Sequence, residues 1–168
     1  MLIGCLFVKH FPVKVELQRS PNLRGRPILI MQSLGAKRSI LDASEEVDGV
    51  FSGMSVQEAS ARCPSGLFLE ADLPAYSKAF NDILIALENR SPVVEDCGLG
   101  TAYVDLTGLN ELYGGEARVI TTLISALPEI FTPQVGVAHG KYLAFIAAMM
   151  AHPNGAIQLP DDIQKFFQ

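Results

Sequence analysis

The sequence predicts an α+β fold: a mixed or antiparallel sheet with helices on one face, and a small lobe inserted into it. Three observations carry this. The first eight residues, Met1-Leu2-Ile3-Gly4-Cys5-Leu6-Phe7-Val8, form an apolar run of the length of one buried strand. From about Ala71 onward the hydrophobic pattern reads helix, strand, strand, helix, strand, helix. Between the two, residues 20–70 hold only short strands and helices punctuated by Gly and Pro. Of the 168 residues, 49% are hydrophobic and 18% charged, which supplies a large core and excludes a mostly disordered chain.

The elements follow in order. The opening strand reaches Val8, and a short helix over Phe11–Leu17 ends before Ser20-Pro21. Turns at Pro21-Asn22, Gly25 and Pro27 lead into buried strands over Pro27–Gln32 and Ser39–Asp42. Ser55 and Glu58 have the spacing of a capping box, so a helix is expected from there to Arg62. Leu67–Glu70 reads as a strand. Asp72 then caps a longer helix whose stripe is Tyr76, Phe80, Ile83, Leu84 and Leu87. Pro92–Leu99 and Ala102–Leu106 read as two strands joined near Gly100. A helix over Glu116–Leu127, a strand over Gln134–Ala138 and a helix over Lys141–Ala151 follow. Asp161-Asp162 caps a last helix that stops at Gln168, which reads as an interior point of a longer protein.

Composition narrows the function classes. No apolar run approaches the roughly 20 residues that span a bilayer, so no membrane role is expected. Cys5, Cys63 and Cys97 form no C-x-x-C pair, and His10, His139 and His152 are scattered. The expectation is a cytoplasmic protein without a disulfide framework, metal or cofactor. The first 38 residues hold seven basic side chains against Glu16 alone, a net of +6; the remainder holds 6 basic and 17 acidic, or −11. Such a chain is expected to bind DNA weakly and in a salt-dependent way.

Longer motifs carry a resemblance. Phe11-Pro12-Val13-Lys14-Val15-Glu16 followed by Pro21-Asn22-Leu23-Arg24-Gly25-Arg26-Pro27 resembles the start of the Y-family, UmuC/DinB-like translesion DNA polymerases. Gly53-Met54-Ser55-Val56-Gln57-Glu58-Ala59 with Cys63-Pro64 is similar to a segment of that family's fingers. Ala102-Tyr103-Val104-Asp105-Leu106-Thr107 is similar to its A-Y-L-D-V-T strand. Gly136-Val137-Ala138, Lys141, Leu143-Ala144, Ile146-Ala147 and Pro153-Asn154-Gly155 are similar to its palm helix. Four motifs in the family's order cover nearly the whole chain. The resemblance implies palm over 1–19 and 71–160, fingers over 20–70, and the start of a thumb over 161–168.

The departures from the family pattern lie at functional positions. The resemblance implies that two magnesium ions are held by one Asp of the first strand and an Asp-Glu pair of the hairpin. Here those positions are Phe7, Gly100 and Thr101, and Lys9 stands at a neighbouring acidic position. None supplies a carboxylate for two-metal phosphoryl transfer. The family's nucleotide-binding positions are likewise changed, to Pro12, Ala43, Glu46 and His152, and a helix lysine is Phe145. Phe7 is expected to pack against apolar neighbours from the hairpin 97–103. Met149 and Met150 beside Phe145 and Ile146 are expected to be packed in the core. Asp105, at the wrong end of its strand for metal binding, is expected in a turn or solvent role. Candidate DNA or phosphate contacts are Lys141, Arg24, Arg26, Lys37 and Arg38.

These departures resemble the ImuB-like, non-catalytic branch of the family. The expectation is therefore an inactive polymerase homologue, not an enzyme, serving as an adaptor in DNA repair and damage-induced mutagenesis. Its implied partners are an error-prone DNA polymerase, an ImuA-like accessory protein and the sliding clamp, with weak DNA binding. Two alternatives stand beside it. One is a divergent but active DNA-directed nucleotidyltransferase using other acids, and the other a DNA or protein interaction module that kept the fold.

Overall fold

The computed structural model describes residues 1–163. The helix expected after Asp161-Asp162, and most of the implied thumb start over 161–168, fall outside them. The chain divides into two compact units, one of residues 1–9 and 79–168, the other of residues 10–78.

The first unit is built on a five-stranded sheet in the order β5-β6-β1-β7-β8. The strands are β1 (Ile3–Phe7), β5 (Val94–Asp96), β6 (Thr101–Asp105), β7 (Gln134–Ala138) and β8 (Ala156–Gln158). β1 is central and antiparallel to both neighbours; Phe7 lies opposite Thr101 on one side and Gln134 on the other. A strand in that place loses solvent on both faces, which is why Ile3, Cys5 and Leu6 are buried. β7 is buried at all five positions. Helix α6 (Lys141–Met150) packs on the face carrying Ile3, Cys5 and Ala138, through Ala144, Ala147 and Ala148. Small side chains there let helix and sheet approach closely: a Cβ on Gly136 would stand 2.0 Å from the Ala144 carbonyl oxygen. The buried amide of Gln134 donates to the Ala148 and Ala151 carbonyls, closing the C-terminal end of α6.

Three elements of this unit were not expected from the sequence, one of them a single 3-10 turn over Glu129–Phe131. β8 pairs in parallel with β7 after the turn at Asn154, whose φ is 59°. Three residues with no alternation give no periodic signal, and the pairing alone defines the strand. A five-residue helix α4 (Leu109–Tyr113) lies between glycines 108 and 114, both left-handed, and precedes α5 (Glu116–Ile124).

The second unit holds a three-stranded sheet in the order β3-β2-β4. β2 (Ile28–Leu34) and β3 (Lys37–Ala43) form a hairpin through Gly35-Ala36, with Gly35 at φ +64°, the backbone region that such tight turns demand. β4 (Leu67–Glu70) joins β2 in parallel. Leu29, Met31, Ile40, Ala43, Val47, Met54 and Ala59 form its core. Helix α1 (Phe11–Arg19) buries Phe11, Val13 and Val15. Helix α2 (Val56–Arg62) starts as expected, with the Ser55 hydroxyl accepting the Glu58 N–H. The reciprocal half of the capping box is not made, because the Glu58 carboxylate pairs with Arg62 at 2.9 Å. Asp72 caps the next helix, α3 (Leu73–Glu88), accepting from the Ala75 N–H. In its first turn the buried Tyr76 hydroxyl donates to Glu16, and Arg19 bridges Glu16 and Asp72. The division between the units falls within α3.

Candidate functional site

In the first unit the β-sheet register brings together Phe7, Gly100 and Thr101. Phe7 and Thr101 are direct cross-strand partners, and the Gly100 carbonyl accepts the Val8 N–H at 2.7 Å. Gly100 has φ +88°, a conformation that glycine adopts freely, at the tip of the β5–β6 hairpin. Phe7 is half-buried, and its ring meets Phe145 of α6 edge-on, with centroids 5.9 Å apart and planes at 83°. Tyr103 of the hairpin joins the same cluster, and the aromatic ring contact added to it comes from the helix, since Gly100 has no side chain and Thr101 is polar. The edge-on geometry sets the positive ring edge against the negative ring face.

Around this pair, Lys141 forms an ion pair with Glu95 and lies 5.8 Å from the centroid of the Tyr103 ring. Its charge is therefore held by a carboxylate and an aromatic face within the unit. Burial, with help from the Cys97 thiol, pushes the Cys5 thiol up to about 12, and burial also raises Tyr103. His152 is exposed, and its backbone carbonyl accepts the Gly155 N–H in the turn before β8. Asp105 closes an Asx-turn, accepting the Thr107 N–H at 2.9 Å, and its hydrogen bonds with the Thr107 side chain first and the Thr107 N–H second hold its carboxyl below the usual range. Met149 and Met150 are about half exposed, at 49% and 47%. That corrects the expectation of core packing: the helix turns Ala144, Ala147 and Ala148 to the sheet, and both methionines stand on the other side.

In the second unit, Pro12 lies in the first turn of α1, a place that tolerates a missing N–H. Ala43 is a core residue, 7% exposed. Glu46 is exposed and lines a cavity of about 130 Å³ together with His10, Lys14, Arg26, Ser44 and Glu45. Arg38 pairs with Glu70. Arg24, Arg26 and Lys37 are exposed, with no side-chain partner among the described residues. Sequence reasoning missed one arrangement here: His10 Nδ1 meets Asp42 Oδ1 at 2.9 Å, while Asp42 Oδ2 accepts the Val13 N–H. Thirty-two residues separate the pair in sequence, so no spacing could have announced it.

The residues present at 7, 100 and 101 do not fit divalent metal ions. Phe and Gly side chains cannot ligate, and one hydroxyl does not replace an anionic oxygen set. Among the described residues, no group of three His, Cys, Asp or Glu side chains could hold a metal. No helix among them is long and apolar enough to cross a membrane.

A five-stranded sheet with α6 on it and an inserted three-stranded unit define the palm-and-fingers class of nucleotide polymerases. The chain belongs to the impB/mucB/samB family, whose model matches residues 6–149. It is 30% identical over 155 residues to DNA polymerase IV of Dehalococcoides mccartyi (strain CBDB1), covering 89% of this chain and 40% of the relative. It is 31% identical to DNA polymerase IV of Methanoculleus marisnigri, covering 99% of this chain and 49% of that one. Its fold matches the crystal structure of DinB from Sulfolobus solfataricus with a TM-score of 0.85, at 28% identity over 99% of this chain and 50% of that one. The post-insertion binary complex of Dbh DNA polymerase also matches with a TM-score of 0.85, at 27% identity and the same coverage. The chain spans half the length of these relatives, or less.

These relatives overturn the expectation that the protein is not an enzyme. Proteins of this fold and family are named DNA polymerase IV, which points to an enzyme. The physical reason for the error is simple. Missing carboxylates at 7, 100 and 101 show that no ion is held by those side chains; they do not show that the whole protein lacks activity.

Proposed function

We propose that this chain is the palm-and-fingers part of a divergent DinB-like DNA polymerase acting in translesion synthesis. In this reading the whole protein is a DNA-directed nucleotidyltransferase whose substrates are primer–template DNA and deoxynucleoside triphosphates. The observation that supports it best is the unbroken family match over residues 6–149 on a fold that agrees with DinB at a TM-score of 0.85. Palm is assigned to 1–19 and 71–160, fingers to 20–70, and the first residues of a thumb to 161–168. Arg24, Arg26, Lys37, Arg38 and Lys141 are the side chains assigned to DNA or phosphate contact. The Lys141 contact requires it to leave Glu95, while Arg24, Arg26 and Lys37 need release no partner. Side chains 7, 100 and 101 take no part in holding ions.

The test is templated primer extension by the full-length protein with Mg²⁺ or Mn²⁺, on undamaged and abasic templates. Extension above a mock preparation is expected. No extension with either ion on either template overturns the reading. An ImuA-like accessory protein and a sliding clamp are the partners assigned to the whole protein, in the cytoplasm, by the resemblance of the departures at 7, 100 and 101 to the ImuB-like branch. A pull-down after DNA damage that recovers neither removes them.

A further inference from the structure

Helix α6 has no polar face. From Tyr142 to Ala151 no residue is charged, and the Tyr142 hydroxyl is the only side-chain oxygen or nitrogen. A surface helix normally turns polar residues outward, as α5 does with Arg118 and Thr121, and a helix that is apolar all round is a buried one. The sheet covers only one side of α6, through Ala144, Ala147 and Ala148. The stripe turned outward is Tyr142, Ile146, Met149 and Met150, at i, i+4, i+7 and i+8. Tyr142 is 75% exposed, the two methionines about half, and Ile146 between them is half-buried. Lys141 is engaged by Glu95 and Tyr103, and His139, ahead of the helix, pairs with Asp161. No basic face is therefore present to hold the helix on a membrane surface. The stripe is also complementary to itself. An aromatic ring stands at one end and two thioethers at the other, about 12 Å apart along the axis with Ile146 midway. Sulfur and ring attract each other. A second α6, antiparallel and related by a two-fold axis at Ile146, brings ring and sulfur together at both ends at once. With no charge in the stripe, that axis sets no like charges face to face.

We propose that the outer face of α6 is a self-association surface, covered by a second copy of this chain. The two helices pack antiparallel, with Ile146 against Ile146 and Tyr142 of each copy against Met150 of the other. Covering one such face hides on the order of 400 Å² per copy, about half of the ~800 Å² of a standard interface. The dimer is accordingly a weak one, with a Kd of about 10–100 µM. Its contact is apolar, so added salt does not weaken it, in contrast to contacts with phosphate. The surface goes beyond the proposed polymerase role and does not rest on it. Lys141 and Glu95 stay outside the stripe.

The full-length protein is followed by sedimentation velocity at low and high salt, over concentrations reaching about tenfold to either side of that Kd. A sedimentation coefficient that rises with concentration at both salts is expected. With the methionine methyl groups labelled for NMR, the Met149 and Met150 signals shift over the same range, while those of the buried Met31 and Met54 stay in place. Tyr142→Glu changes a residue that is 75% exposed, at the helix end that favours an acid, so the fold is kept. It is expected to weaken association about tenfold or more, the scale of one lost anchor in a small contact. Met150→Lys puts a cation at the end that favours one. Because residue 142 of one copy faces residue 150 of the other, an equimolar mixture of the two variants associates more tightly than either alone. A protein that stays monomeric throughout, its α6 face covered by the rest of the chain or left to a different partner, overturns the proposal. So does association that Tyr142→Glu leaves unchanged, or a mixture no tighter than its parts.

Discussion

Phe7 and Phe145 are single residues on different elements, and each makes sense only with the other. An isolated phenylalanine at either place would leave apolar area in water, at about 25 cal/mol per Å². Together they form an edge-on pair 5.9 Å between centroids. A double-mutant cycle of Phe7→Ala and Phe145→Ala, read by urea unfolding, is expected to give a coupling of about 0.5–1.5 kcal/mol; strict additivity would show the rings to be independent. Cys5 makes a second residue-scale prediction. Its ordinary value near 9 is pushed up to about 12, chiefly by burial. The folded state therefore keeps the thiol proton above pH 9 while the unfolded state loses it. Stability is fully present below that pH and falls as pH rises towards 12, by up to about 1.4 kcal/mol per pH unit. Tyr76, raised by burial and by its hydrogen bond to Glu16, acts in the same direction. Unfolding at pH 8 and 10.5 should show a shallower decline for Cys5→Ala than for the wild type. Equal declines would remove Cys5 as a contributor.

At the scale of elements, the contact between β7 and α6 depends on the absence of one methyl group. A Cβ on Gly136 would stand 2.0 Å from the Ala144 carbonyl oxygen and 2.2 Å from the Ala148 nitrogen. Both are backbone atoms of a helix, which cannot yield as the tip of a side chain can. Gly136→Ala must push α6 off the sheet and is expected to cost roughly 3–5 kcal/mol or to prevent folding. Thermal unfolding by circular dichroism measures it. A loss below about 1 kcal/mol would mean that the helix moves freely. Gly4 offers the contrast: the atoms nearest its added Cβ would be those of the Leu106 side chain, at 3.3 Å.

At the scale of the whole molecule, charge is unevenly placed. The first 38 residues carry +6 and the remainder −11. Part of the basic set is already committed: Arg19 to Glu16 and Asp72, and Arg38 to Glu70. Phosphate contacts made by the remaining cations release counterions, and the acidic remainder opposes them. Anisotropy titrations with primer–template DNA are expected to show binding weaker than about 1 µM near physiological salt, falling steeply as salt rises. Submicromolar, salt-insensitive binding would contradict this charge argument.

The division between what could be read from the chain and what could not follows the range of the signals. Tyr76, Phe80, Ile83 and Leu87 recur at helical spacing, Ser55 precedes Glu58 by three, and the central strand runs Ile3–Phe7 without a polar break. Each is a local pattern, set by bonds within a few residues, and each element stands where that pattern put it. The family resemblance was legible for the same reason, as short motifs in a fixed order. Tertiary structure alone decided the rest. β8 exists because β7 offers it a partner. Glu58 turns from its cap to Arg62, and the Phe7 ring meets Phe145 of a distant helix. Asp42 closes a helix that begins 31 residues earlier and fixes His10 beside the cavity. These contacts join residues far apart in sequence. Which partner wins depends on register, burial and the distance between backbones, and no local pattern encodes those quantities.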